Sequence, residues 1–195
     1  MNYKIGKYPV NNKLSRRQVD EAMEEAFSVW SEVTNLKFNK IFNGDAHIEI
    51  RFETGNHGDD DPFDGEGGTL AHAFFPIYGG DAHFDSEEDW TVKTFRGTNL
   101  VMSAAHELGH SLGLSHSNVK SSLMAPFYRG YEPKIRLDND DIEGIQALYG
   151  EKEENIKSVN QIPEGAKPSS KGIDNKVSQI NLLRMVMDFG TKTYY

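Results

Sequence analysis

Residues 106–116 read HELGHSLGLSH, preceded by LVMSAA at 100–105. Leu100, Val101, Ala104, Ala105, Leu108 and Leu112 recur at three- and four-residue steps, which predicts a helix over 98–113. Four residues are about one helical turn, so His106 and His110 leave the same face and can share one ion. Glu107 stands beside them and can reach a water held by that ion without itself binding the metal. Gly113 lies where the helix can stop and turn, and His116 can then return as a third ligand. Three neutral imidazoles and one open position describe a catalytic zinc site.

The flanking chain supplies a scaffold. Val19, Met23, Ala26, Phe27 and Trp30 predict an amphipathic helix over 15–34, with Ser15 as its N-cap. Leu36–Phe42 and Ala46–Phe52 read as strands, and in the second Ile48, Ile50 and Phe52 alternate with Glu49 and Arg51. ETGNHGDDDPFDGEGG (53–68) is a loop rich in glycine and aspartate, followed by short strands at Thr69–Phe75 and Asp81–Asp85. A third helix is expected from Asp138 to Tyr149, with Asp138 to Asp141 at its positive end. After Gly150 the chain turns polar, with Pro, Gly and Ser punctuation. Residues 151–195 read as a linker-like tail carrying an apolar segment at 180–189.

The 195 residues include 21 Lys+Arg against 30 Asp+Glu, a formal charge of -9, and no cysteine. Nucleic acid is an unsuitable partner for so acidic a surface, and no apolar run approaches the ~20 residues of a membrane span. Without cysteine there are no disulfides or thiolate ligands, so any metal must rest on His, Asp and Glu. The acid is concentrated: 45–89 holds 13 acidic residues and one basic residue, Arg51. His47, His57, His72 and His83 are interleaved with them. Mutual repulsion at that density favours bound cations.

HELGHSLGLSH is the HExxHxxGxxH signature of the metzincins, and SLMAP (122–126) resembles their Met-turn, with Met124 beneath the zinc. HGDDDPFDGEGGTLAHAFFP (57–76), GGDAHFDSEEDW (79–90) and DDIEGIQALYG (140–150) resemble the matrixin branch, the catalytic domain of matrix metalloproteinases, over essentially 1–150. The resemblance implies an α+β metzincin zinc-peptidase fold: a twisted, mainly parallel five-stranded sheet with three helices and a catalytic cleft above the Met-turn. It implies an upper subdomain of about 1–116 and a lower one of about 117–150.

It further implies a zinc-dependent endopeptidase acting on extracellular, matrix-type proteins, with Glu107 as general base, secreted and monomeric. His57, Asp59, His72 and His83 match the family's structural zinc, so six of the seven histidines are assigned to two zinc ions. At least one calcium is implied at Asp64, Gly65, Gly67, Thr69, Asp85 and Glu88. A second calcium position falls on Gly79 and Asp81, but His47 stands where that site has an aspartate, and imidazole is a poor calcium ligand. In a third, Ser86 replaces the usual acid. The substrate is expected to lie extended along the strand containing Leu70 and Ala71, with Met102, Pro126 and Tyr128 around the specificity pocket. Protein inhibitors of the family are implied partners. The family's cysteine latch and C-terminal propeller have no counterpart in these residues. The competing reading is a catalytically silent, metal-stabilised protein-binding module.

Overall fold

A computed structural model describes residues 1–10, 13–153 and 193–194, the last two by their backbone. The elements are β1 (Asn2–Lys7), α1 (Arg16–Ser31), β2 (Asn39–Lys40), β3 (Ile48–Glu53), β4 (Ala71–Ala73), β5 (Ala82–Asp85), β6 (Trp90–Thr91), β7 (Thr98–Asn99), α2 (Leu100–Ser111), α3 (Asn139–Tyr149) and β8 (Thr193–Tyr194). The main sheet runs β2-β1-β3-β5-β4-β8. β1 pairs parallel with β2 and β3, and β3 pairs parallel with β5. β4 is antiparallel to β5. The expected five-stranded, mainly parallel sheet and three helices are therefore present, and β8 adds a sixth strand.

α1 starts at a capping box: the Ser15 side chain accepts from the Gln18 N–H while Gln18 accepts from the Ser15 N–H. This satisfies two of the amides that a helix start leaves without partners. Its apolar stripe, Val19, Met23, Ala26, Phe27 and Trp30, is buried. Tyr3 of β1 packs on Phe27 with ring centroids 4.3 Å apart. Trp30 Nε1 donates to the Ala105 carbonyl at 3.0 Å, tying α1 to α2. All twelve residues of α2 are buried, so this helix sits in the interior, packed against α1, β4 and β5, and not on a solvated surface.

Two sequence expectations need correction. The strand expected over Leu36–Phe42 is reduced to Asn39–Lys40. The first strand went unpredicted, although Asn2–Lys7 occupies an interior place in the sheet between β2 and β3. Its segment is short and half lysine and polar residues, so the alternation of Tyr3 and Ile5 is a weak signal until the sheet supplies partners on both sides. Of the linker-like tail expected over 151–195, residues 154–192, with the apolar segment at 180–189, lie outside the described residues. Among the described residues, no helix is long and apolar enough to cross a membrane.

Candidate metal centres

α2 begins at Asn99, whose side chain accepts from the Met102 N–H at 3.1 Å. It ends just before Gly113, where φ is +103°, a left-handed conformation suited to glycine. That turn lets the chain reverse and bring His116 back toward the helix. His106 Nε2 then lies 3.1 Å from His110 Nε2 and 3.3 Å from His116 Nε2. A tetrahedral ion with Zn–N bonds of about 2.0–2.1 Å separates its nitrogens by about 3.3 Å.

The opposite ring nitrogens settle the tautomers. His106 Nδ1 donates to the Leu123 carbonyl at 2.7 Å, and His110 Nδ1 donates to the Leu114 carbonyl at 2.6 Å. Both Nδ1 atoms must carry hydrogen to do so, which leaves bare lone pairs on the converging Nε2 atoms. Burial, with His110 facing it, holds His106 well below the usual histidine range. Burial and the facing His116 pull His110 down to about 3. Facing lone pairs on neutral, buried rings repel one another unless a cation sits between them. The donor set fits a zinc ion.

Glu107 is fully buried, and neither carboxylate oxygen has a hydrogen-bond partner. Burial pushes its pKa well above the ordinary carboxylate range. A carboxylate so placed is costly for folding alone, by roughly 1–3 kcal/mol or more.

The floor of the centre is the turn at 122–125. Gly109 lies above it: a Cβ there would meet Met124 Sδ, and Trp30 Cζ2 at 2.9 Å. Only glycine lets the helix approach Met124 this closely. Asp141 of α3 holds the turn, accepting from Ser122 Oγ, from the Leu123 N–H at 2.8 Å and from the Met124 N–H at 3.1 Å. Sequence reasoning placed Asp141 only at a helix start. Its partners are 17 to 19 residues away, so no local pattern announces them.

A second cluster is delivered by strand register. His72 and His83 stand directly opposite in the antiparallel β4–β5 ladder, so their side chains share a face. The 53–68 loop brings His57 and Asp59 to them. Asp59 Oδ2 lies 3.0 Å from His57 Nε2, 2.8 Å from His72 Nε2 and 2.8 Å from His83 Nδ1. Burial works against ionising Asp59, but hydrogen bonds from His72 and the Asp61 N–H win and hold its pKa below the usual range. His83 is lowered to about 4 by burial and by Arg51. Its ring is therefore neutral near pH 7, and the contact with Asp59 is a hydrogen bond and not an ion pair. Arg51 reaches His83 Nε2 at 2.8 Å, a contact the sequence reading missed. β3–β5 pairing sets these two residues side by side.

Among the described residues, only these two groups bring three or more His, Asp or Glu ligand atoms within 4.8 Å of one another. The residues expected around calcium are gathered differently. Asp85 accepts from the Gly65 N–H at 3.1 Å, Glu88 from the Gly67 N–H at 2.6 Å, and Asp64 from the Thr69 N–H at 3.1 Å. Burial raises the pKa of both Asp85 and Glu88. Asp81 accepts from the Glu49 N–H at 2.8 Å and follows directly on the Gly79–Gly80 turn. Exposed His47 accepts from the Asn2 N–H at 3.0 Å, and Ser86 Oγ accepts from the Val10 N–H at 3.0 Å.

Of the residues expected around a substrate, Ala71 is buried in β4 and Leu70 half-buried just before it. Met102 is buried within α2, and Pro126 is exposed. The half-buried Tyr128 accepts the Asn99 N–H at 2.7 Å, which pins the segment after the turn to the start of α2.

A family model described as Matrixin matches residues 1–150. The chain is 51% identical to macrophage metalloelastase of Rattus norvegicus over 173 residues, 87% of this chain and 36% of that protein. It is 52% identical to stromelysin-2 of Rattus norvegicus over 84% of this chain and 34% of that one. Interstitial collagenase of Sus scrofa is 52% identical over 84% of this chain and 35% of its own length. The chain thus spans about a third of the length of these relatives.

Proposed function

The chain belongs to the matrixin family, and from that premise we propose that residues 1–150 form a zinc-dependent endopeptidase that cleaves extracellular, matrix-type proteins. In this reading His106, His110 and His116 hold a catalytic zinc, and His57, Asp59, His72 and His83 hold a structural one. Residues up to about 116 form the upper wall of the cleft, and 117–150 form the lower. The observation that carries the reading is Glu107, a buried, partnerless carboxylate next in sequence to a metal-site histidine. A binding module with a purely structural metal has no use for it.

When bound at the three imidazoles, zinc supplies Lewis acidity, polarising the scissile carbonyl and acidifying the attacking water. Glu107 takes the water's proton on a carboxylate oxygen as the new C–O bond forms. It returns that proton to the leaving nitrogen as the C–N bond breaks, so the step is balanced within the site. Leu123 and Leu114, through their carbonyls, keep His106 and His110 in the tautomer that presents Nε2 to the metal. The extended substrate pairs with β4 near Leu70 and Ala71, while Met102, Pro126 and Tyr128 surround the pocket for the residue after the cleaved bond.

Calcium at Asp64, Gly65, Gly67, Thr69, Asp85 and Glu88 is part of the same reading, supported by two buried carboxylates with raised pKa values. Secretion, action as a monomer and control by the family's protein inhibitors complete it. The test is cleavage of a fluorogenic collagen-like peptide with and without chelator, beside Glu107→Ala. Turnover should vanish with chelator and fall by at least 100-fold in the variant. Full zinc loading with no turnover of any protein would favour the binding module.

A further inference from the structure

β4 has two edges. β5 takes one, with His72 opposite His83. The other is taken by the chain's own C-terminal segment: Tyr194 pairs antiparallel opposite His72, and Thr193 opposite Ala73. An open sheet edge offers its N–H and C=O groups to one extended strand at a time.

This edge runs beside the catalytic centre. β4 packs against α2, and Phe75, two residues beyond Ala73, sets its ring edge-on to His110 at 6.0 Å. Its sequence, Ala71-His72-Ala73, carries none of the lysines or prolines that commonly block strand addition. The residues that dock there, Thr193 and Tyr194, are both β-forming types.

We propose that the segment bearing Thr193–Tyr194 is an intramolecular competitor for the outer edge of β4, holding the place an extended peptide must take to reach the histidine centre. The proposal rests on the endopeptidase reading for its consequence, though not for the docking itself. Two paired residues make a weak contact, so the strand is displaceable. Its tether compensates, since covalent attachment gives an effective concentration of up to about millimolar. A substrate that pairs over a longer stretch displaces it, and a short peptide does so poorly.

The experiment compares the full chain with the full chain carrying Thr193→Pro and Tyr194→Pro, both loaded with zinc and calcium. Proline has no N–H to give to a ladder, so replacing both residues removes whichever N–H points at β4. Amide hydrogen exchange at 71–73 should quicken at least tenfold in the variant. KM for a short quenched peptide should fall at least threefold, with kcat unchanged. Unchanged exchange would overturn the docking, and faster exchange with an unchanged KM would overturn the competition. A KM difference that grows with protein concentration would assign the strand to a second copy and overturn the intramolecular form. If neither chain cleaves any peptide, the endopeptidase reading fails and the competition with it, while exchange at 71–73 still decides the docking.

Discussion

Asp141 holds Leu123. Its Oδ2 accepts the Leu123 N–H at 2.8 Å, and the Leu123 carbonyl in turn accepts Nδ1–H of His106 at 2.7 Å. A carboxylate on α3 is thereby linked through one residue, Leu123, to the orientation of the His106 imidazole on α2. Asp141→Ala strips partners from the buried Leu123 and Met124 amides. It should cost about 3 kcal/mol or more in urea unfolding and weaken zinc binding by about 10- to 100-fold. A folded variant with unaltered zinc affinity would break the proposed link.

Gly109→Ala sets two effects against each other. Helix propensity returns about 1 kcal/mol, whereas overpacking against Met124 and Trp30 costs about 1–3 kcal/mol. The net expectation is a loss of about 1 kcal/mol. Adding Met124→Ala should recover part of it, giving a favourable coupling in a double-mutant cycle of unfolding free energies. Additive losses would mean that the close approach is not what requires glycine.

Acid should destabilise the metal-free protein through its buried histidines. His110 sits at about 3 in the folded chain against an ordinary 6.5, so between those values the unfolded chain binds the extra proton. The associated stability is complete above pH 6.5 and is lost as pH falls toward 3, at about 1.4 kcal/mol per unit. Glu107 has the opposite sign: its pKa is raised, so the stability it contributes falls as pH rises above about 4.5. His110→Asn should therefore flatten the pH dependence between 6 and 4 by about 1 kcal/mol per unit, read by urea unfolding in chelator. An unaltered slope would contradict a neutral His110.

Metal analysis should find two zinc ions per chain. His110→Asn and His83→Asn should each remove one, and only the first should abolish turnover while the other site stays filled. At free zinc 100-fold above Kd, each site should add about 2.7 kcal/mol of stability. Chelation should lower Tm accordingly. One zinc in the parent protein, or loss of both in the His110→Asn variant, would contradict two independent centres.

Much of the site was legible in the chain because its information is local. Helical periodicity alone put His106 and His110 on one face, and Gly113 marked the turn that returns His116. Alternation announced β3, and the Ser15 cap announced α1. The loop proposed to hold calcium was less legible: its residues were named, but which carboxylate meets which amide depends on β5 lying against the loop.

Sequence by itself determined the candidate ligand types, their spacing, the absence of cysteine and the family. Tertiary structure decided the rest, because the remaining contacts join residues far apart in the chain. It placed β1 inside the sheet, set His72 opposite His83, and aimed Arg51 at His83. It also joined Asp141 to the turn below the histidines and laid Thr193–Tyr194 on the edge of β4. Backbone pairing between distant segments leaves no periodicity in either one. Its physical cause, the demand that each edge and each buried polar group find a partner, acts only once the chain has folded.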